Sequence, residues 1–119
     1  MSVRKTFLVM EPKPSEGISV RKLVLETAYY NVLTGYSGKE GIQLLEQFPN
    51  VDAAVIHAEI EHPAAKTVFA RIKELQPDLP IIVITPGTGG GFKAAAAVLS
   101  SHDPQELLEE LKQIAGPPK

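Results

Sequence analysis

VDAAVIHAEIEHP, residues Val51 to Pro63, begins as a buried strand and ends in an acidic loop that carries two histidines. Ala53 to Ile56 are four consecutive apolar residues. A strand apolar on both faces sits inside a parallel sheet with helices on each side. His57 falls where that run stops, so it should stand at the strand's carboxyl edge. In open α/β sheets that edge is where ligands bind. The residue at position 57 therefore bears directly on what the protein can do.

Outward from this stretch, the bulk properties narrow the field. The chain has 119 residues, the size of one domain. Apolar residues make up 44% and charged residues 22%, as in an ordinary globular domain. A net charge of −2 gives no electrostatic case for a nucleic-acid or membrane partner. There is no cysteine, which excludes disulfides, thiolate metal sites and thiol catalysis. No segment approaches the ~20 apolar residues of a membrane span. The N-terminal MSVRKTFLVMEPKP shows no cleavage-site pattern, so a cytoplasmic location is the default expectation.

The flanking sequence alternates strand and helix signals. Thr6 to Met10 reads as a first buried strand, stopped by Glu11-Pro12-Lys13-Pro14. Ser15 is placed to cap a helix running to about Ala28, with Val20, Leu23, Val24 and Ala28 as its apolar positions. Tyr29 and Tyr30 end it, one expected in the core and the other at the rim. Asn31 to Gly35 is a short second strand, and Ser37-Gly38 turns the chain. A helix over Lys39 to Phe48 carries Ile42, Leu45 and Phe48; another over Ala64 to Leu75 carries Val68, Phe69, Ile72 and Leu75. Pro80 opens the strand Ile81 to Thr85. Pro86 to Gly91, PGTGGG, has no helix-forming content, and a fifth strand is assigned to about Ala96 to Ser100. Asp103-Pro104-Gln105-Glu106 starts a last helix with an N-cap, a proline at the first helical position and capping-box spacing. Its apolar face is Leu107, Leu108, Leu111 and Ile114. The pattern predicts one parallel sheet between two helical layers. Residues 1–116 form the domain, and Pro117-Pro118-Lys119 is a tail or the start of a linker.

From about Thr6 to Ala115 the chain resembles the receiver domain of bacterial response regulators. FLVMEPKP is similar to that family's first strand and acidic loop. TAYYNVLTGYSGKEGIQLLEQFPNVDAAVIH is similar to its second strand, second helix and third strand. PIIVITP resembles its fourth strand with the terminal hydroxyl residue, and DPQELLEELKQI the start of its last helix. The resemblance implies a flavodoxin-like (CheY-like) doubly wound sheet of five parallel strands in the order 2-1-3-4-5.

It also implies phosphoryl capture by an aspartate at the end of the third strand, assisted by a divalent cation on acidic side chains and by a lysine after the fifth strand. Position by position, most of this is missing. His57 stands where the aspartate would be. Glu11 fills the first acidic place, but Pro12 fills the second. Ser100 replaces the lysine, Ser101 the proline after it, and Ala97 the switching aromatic. Thr85 alone keeps its type. A neutral imidazole and a proline do not rebuild an oxygen-ligand magnesium site. The expectation is a pseudo-receiver with the relic pocket Glu11, Pro12, His57, Glu59, Thr85 and Ser100, and with no cofactor. Ser100 follows Thr85 by only fifteen positions. A full crossover needs a helix of ~10 residues and two loops of ~3, so the family's fourth helix is expected to be missing or cut to about a turn.

Other readings of the same residues stay open. His57 can accept a phosphoryl group, bind a metal, or hydrogen-bond a nearby carboxylate such as Glu11 or Glu59. His57, His62 and His102 with Glu11, Glu59 or Glu61 can be assembled into a zinc or nickel site, which needs three or four ligands at ~2.0–2.2 Å. Gly87-Thr88-Gly89-Gly90-Gly91 follows a strand as a phosphate loop does, but its spacing matches neither the P-loop nor the dinucleotide pattern. Glu106, Glu109 and Glu110 read as a solvated face. The reading adopted is a non-enzymatic module in a two-component-type pathway that binds a protein partner: a kinase, an output domain or another receiver. Its expected contact surface is Phe92, Lys93, Gln105, Glu109 and Lys112. The alternatives are a small-ligand or metal sensor using the relic pocket, with His57, His102 and Glu11 as the metal candidates, and an active phosphotransfer protein.

Overall fold

A computed structural model describes residues 4–14, 19–86, 92–100 and 103–116. Along them run β1 (Thr6–Met10), α1 (Val20–Thr27), β2 (Asn31–Gly35), α2 (Gly38–Gln47), β3 (Ala53–His57), α3 (Ala65–Leu75), β4 (Ile81–Ile84), β5 (Ala97–Leu99) and α4 (Pro104–Ala115). The strands form one parallel sheet in the order β2-β1-β3-β4-β5. That is the expected topology, with β3 at its centre.

Alternation along the strands divides the core in two. Leu8, Met10, Ala54, Ile56, Ile81 and Val83 face one side, against Leu45 of α2 and Val68, Phe69 and Ile72 of α3. Phe7, Val9, Val55, Ile82, Ile84 and Leu99 face the other, against Leu25 of α1 and Leu107, Leu108 and Leu111 of α4. Each of the Leu, Ile, Val, Phe and Met side chains among them, when fully buried, contributes roughly 1.5–3 kcal/mol relative to exposure. This two-sided burial is why the strands read as continuous apolar runs.

The helix ends show where local sequence was and was not sufficient. Asp103 caps α4 as expected, its Oδ1 accepting from the Gln105 N–H at 3.0 Å with Pro104 in the first turn. Ser37 caps α2 by accepting from the Glu40 N–H at 3.1 Å. The cap of α1 is Ser19, whose Oγ accepts from the Lys22 N–H at 3.1 Å. Ser15, the expected cap, lies outside the described residues. The inward side of α1 also differs from the expected stripe. Leu25 is buried, with Val24 and Ala28 packed behind it, whereas Val20 and Leu23 are more than half exposed. Phe48 and Leu75, expected on the inner faces of α2 and α3, project outward at the helix ends. Tyr30 is core, its ring 4.7 Å from that of Phe7, while Tyr29 is exposed at a φ of 70°.

Among the described residues no helix stands between β4 and β5. A single turn closes from the Ala95 N–H to the Phe92 carbonyl at 3.1 Å, and the Ala96 N–H then donates to Ile81 at 2.8 Å as β5 begins. Gly87 to Gly91 and the Pro117–Lys119 tail lie outside the described residues. No helix among the described residues is long and apolar enough to cross a membrane.

Candidate functional site

The parallel register places the expected pocket residues on one edge. Met10 pairs with Ile56, His57 with Ile84, and Ile84 with Leu99. Glu11, His57, Thr85 and Ser100 therefore sit at the carboxyl ends of β1, β3, β4 and β5. The ladder continues one residue past the strands. Glu11 N–H donates to Gly35 O at 3.1 Å, Ala58 N–H to Ile84 O at 2.7 Å, and Thr85 N–H to Leu99 O at 2.9 Å. These bonds fix the backbone from which the side chains project.

Glu11, His57 and Thr85 are buried, at 2, 7 and 8% exposure. Pro12, Glu59 and Ser100 are exposed. His57 Nδ1 accepts from the Glu59 backbone N–H at 3.1 Å. Glu59 thus contributes a backbone N–H here. An Nδ1 that accepts carries no proton, which puts the neutral ring's proton on Nε2. In that tautomer the Nδ1 lone pair is engaged and Nε2 is a donor, so the ring is poorly prepared to attack phosphorus or bind a metal.

The carboxylate of Glu11 has a partner that sequence inspection missed. Arg21 Nη1 donates to Glu11 Oε1 at 2.7 Å, and both side chains are largely buried. Charge-assisted contacts of this length are the strong kind. Arg21 lies in the first turn of α1, four residues before the buried Leu25 and on the same side of the helix. A cation there opposes the helix dipole, and α1 has no acidic residue of its own in that turn. Glu11 supplies the compensating negative charge from β1. The available signal was an arginine at an inward spacing of a short helix that follows an acidic loop.

The expected contact surface is only partly formed. Gln105, Glu109 and Lys112 share one side of α4, the last two paired at 3.9 Å, and Lys93 is exposed. Phe92 is not a surface residue. It is 8% exposed and packs edge-on against Phe69, with ring centroids 5.6 Å apart. It belongs to the sheet face opposite α4. Among the described residues no helix separates β4 from β5, and the turn from Phe92 to Ala95 sets the ring in the core cluster that holds Ile81 and Val83. His62 and Glu61 are exposed on the loop after β3, and His102 and Ser101 lie outside the described residues. Among the described residues no three His, Asp or Glu side chains converge on a metal-sized site.

This architecture recurs in solved structures. A response regulator receiver domain protein from Clostridium thermocellum superposes at a TM-score of 0.79, with 20% identity over 93% of this chain and 94% of that one. A CheY-like receiver domain protein from Methanospirillum hungatei gives 0.80, with 19% identity over 92% of this chain and 91% of that one. The chain has the receiver fold. The Thermotoga maritima response regulator TrrA, in complex with magnesium and beryllofluoride, shares it at 0.77, with 23% identity over 92% of this chain and 98% of that one. In sequence the chain is 32% identical over 63 residues to the transcriptional regulatory proteins GlrR of Escherichia coli K12 and QseF of E. coli O157:H7. That match covers 53% of this chain and 14% of those longer relatives. No family model matches the sequence. Within the receiver fold, the polar residues brought together are a neutral imidazole, an internally neutralised carboxylate and a buried threonine.

Proposed function

We propose that this chain is a pseudo-receiver of a two-component-type pathway that acts by phosphorylation-independent binding to another protein. The kind of partner is a kinase, an output domain or another receiver, and the chain itself performs no catalysis. One observation carries this reading: a buried imidazole stands at the carboxyl end of β3, where the resemblance implies the phosphorylated aspartate. The Glu11–Arg21 pair supports it, because the remaining acidic ligand is already neutralised at 2.7 Å. That pairing also favours a binding role over a metal sensor. Pro12 and Ser100 supply neither the second carboxylate nor the lysine.

The test is intact-mass spectrometry after incubation with acetyl phosphate and magnesium, beside a receiver that carries the aspartate. The control gains a phosphoryl group and this chain gains none. A stable phosphoryl adduct on this chain would overturn the reading. Magnesium with beryllofluoride should likewise leave its melting temperature unchanged, since a species that does not bind the native state adds no stability.

A further inference from the structure

A concave groove of about 450 Å³ runs between α2 and α3, on the helical layer that covers one sheet face. Ile42, Pro63 and Val68 give it apolar lining, and Lys39, His62 and Arg71 line it mainly with the apolar parts of their side chains. Among the described residues no carboxylate lines it, although the chain as a whole carries a net charge of −2. Arg71 also contacts Glu74 at 3.3 Å, but both groups are solvent-exposed, and such pairs hold weakly. The wall is set by the protein's own bonds. The Gly38 N–H donates to Glu61 O at 2.9 Å and the Lys39 N–H to His62 O at 2.8 Å. These two N–H groups at the start of α2 thus hold the loop after β3, with His62 at a φ of 60°. Gly38 permits the approach: a Cβ there would lie 2.6 Å from both Pro63 O and Val68 Cγ2.

We propose that this groove docks an acidic segment of another protein, which inserts an aliphatic side chain between α2 and α3. An apolar lining bordered by the exposed Lys39 and Arg71 is complementary to a leucine or isoleucine flanked by carboxylates. Its concavity fits a protruding side chain and not a flat anionic membrane. The inference rests on the reading of the chain as a binding module and names the face that does the binding.

The probe is a synthetic capped hexapeptide with two leucines flanked by glutamates, titrated into the ¹⁵N-labelled chain. Amide shifts should concentrate at Lys39, Ile42, Val68 and Arg71. Affinity should fall at least fivefold in Lys39→Glu/Arg71→Glu, a variant of two exposed residues whose fold is checked by circular dichroism. On the wild-type chain alone, added salt should weaken binding, and a peptide with glutamine for glutamate should bind at least fivefold less well. The proposal is overturned by shifts elsewhere or by no shifts. Equal binding of a lysine-flanked peptide, or binding to anionic vesicles but not to the peptide, also overturns it. A phosphoryl adduct would sink the pseudo-receiver reading and leave the groove result standing, whereas a silent groove leaves that reading untouched.

Discussion

Arg21 reaches from the first turn of α1 to hold the Glu11 carboxylate at 2.7 Å, one residue beyond the end of β1. The pair joins the carboxyl edge of the sheet to the start of the next helix. It places a permanent cation beside the one acidic residue that the resemblance assigns to a metal site. A guanidinium cannot dissociate from the chain as a bound ion can, so this neutralisation is built in.

Removing one partner leaves the other charge buried and unpaired. Arg21→Met and Glu11→Leu should each destabilise the fold by about 3 kcal/mol, and the double variant by less than their sum. Urea unfolding of the three variants measures this. Additive losses would mean that the two side chains act independently.

His57→Asp alone should not confer phosphorylation. The new carboxylate would stand beside Glu11, which Arg21 already holds, and beside Pro12 and Ser100, which offer no metal ligand and no ammonium group. Mass spectrometry with acetyl phosphate and magnesium checks the outcome. A phosphorylated single variant would show that the surrounding pocket is competent after all.

Tyr30 donates its hydroxyl to the Gly116 carbonyl at 3.1 Å, tying the start of β2 to the end of α4. Burial, and secondarily the Glu109 charge, push its phenol above the ordinary value of 10.0. The unfolded chain ionises first as pH rises, so this contribution to stability is full below about pH 10. It is lost as pH climbs from there through the folded value. Tyr30→Phe should cost about 1 kcal/mol at neutral pH through the lost hydrogen bond, and should flatten the alkaline decline. Thermal melts across the alkaline range test both effects.

Val98 pairs with Val83 across β4 and β5, yet Val83 is fully buried and Val98 is 38% exposed. The difference follows from the crossover that has no helix among the described residues. Val98→Lys should change stability by no more than ~0.5 kcal/mol, whereas Val83→Ala should cost roughly 2 kcal/mol. Denaturant titration of both variants decides it, and equal losses would mean that Val98 is covered.

Strand identity and the last helix were readable because their signals are local, whereas the strand order came with the receiver resemblance. Apolar runs such as Ala53–Ile56 and Ile81–Ile84 belong inside a parallel sheet covered on both faces, and Asp103-Pro104 starts a helix by its own capping signals. The short connection between Thr85 and Ser100 left little room for a full helix, and none stands there among the described residues. Residue types at the carboxyl edge were equally plain, since the histidine at position 57 is a matter of composition at one position. Orientation was different. Val20 and Leu23 match a helical stripe as well as Leu25 does, and only packing against α4 and the sheet decides which of them turns inward.

The sequence by itself thus determined the order of elements, the central place of β3 and the histidine that stands at its end. Tertiary structure alone decided that Arg21 neutralises Glu11, that Phe92 is buried against Phe69, and that α2 and α3 leave an apolar groove beside Lys39 and Arg71. Each of these joins segments distant along the chain. Side-chain direction and charge pairing across such distances are set by the packing of whole elements, and no local spacing carries that information.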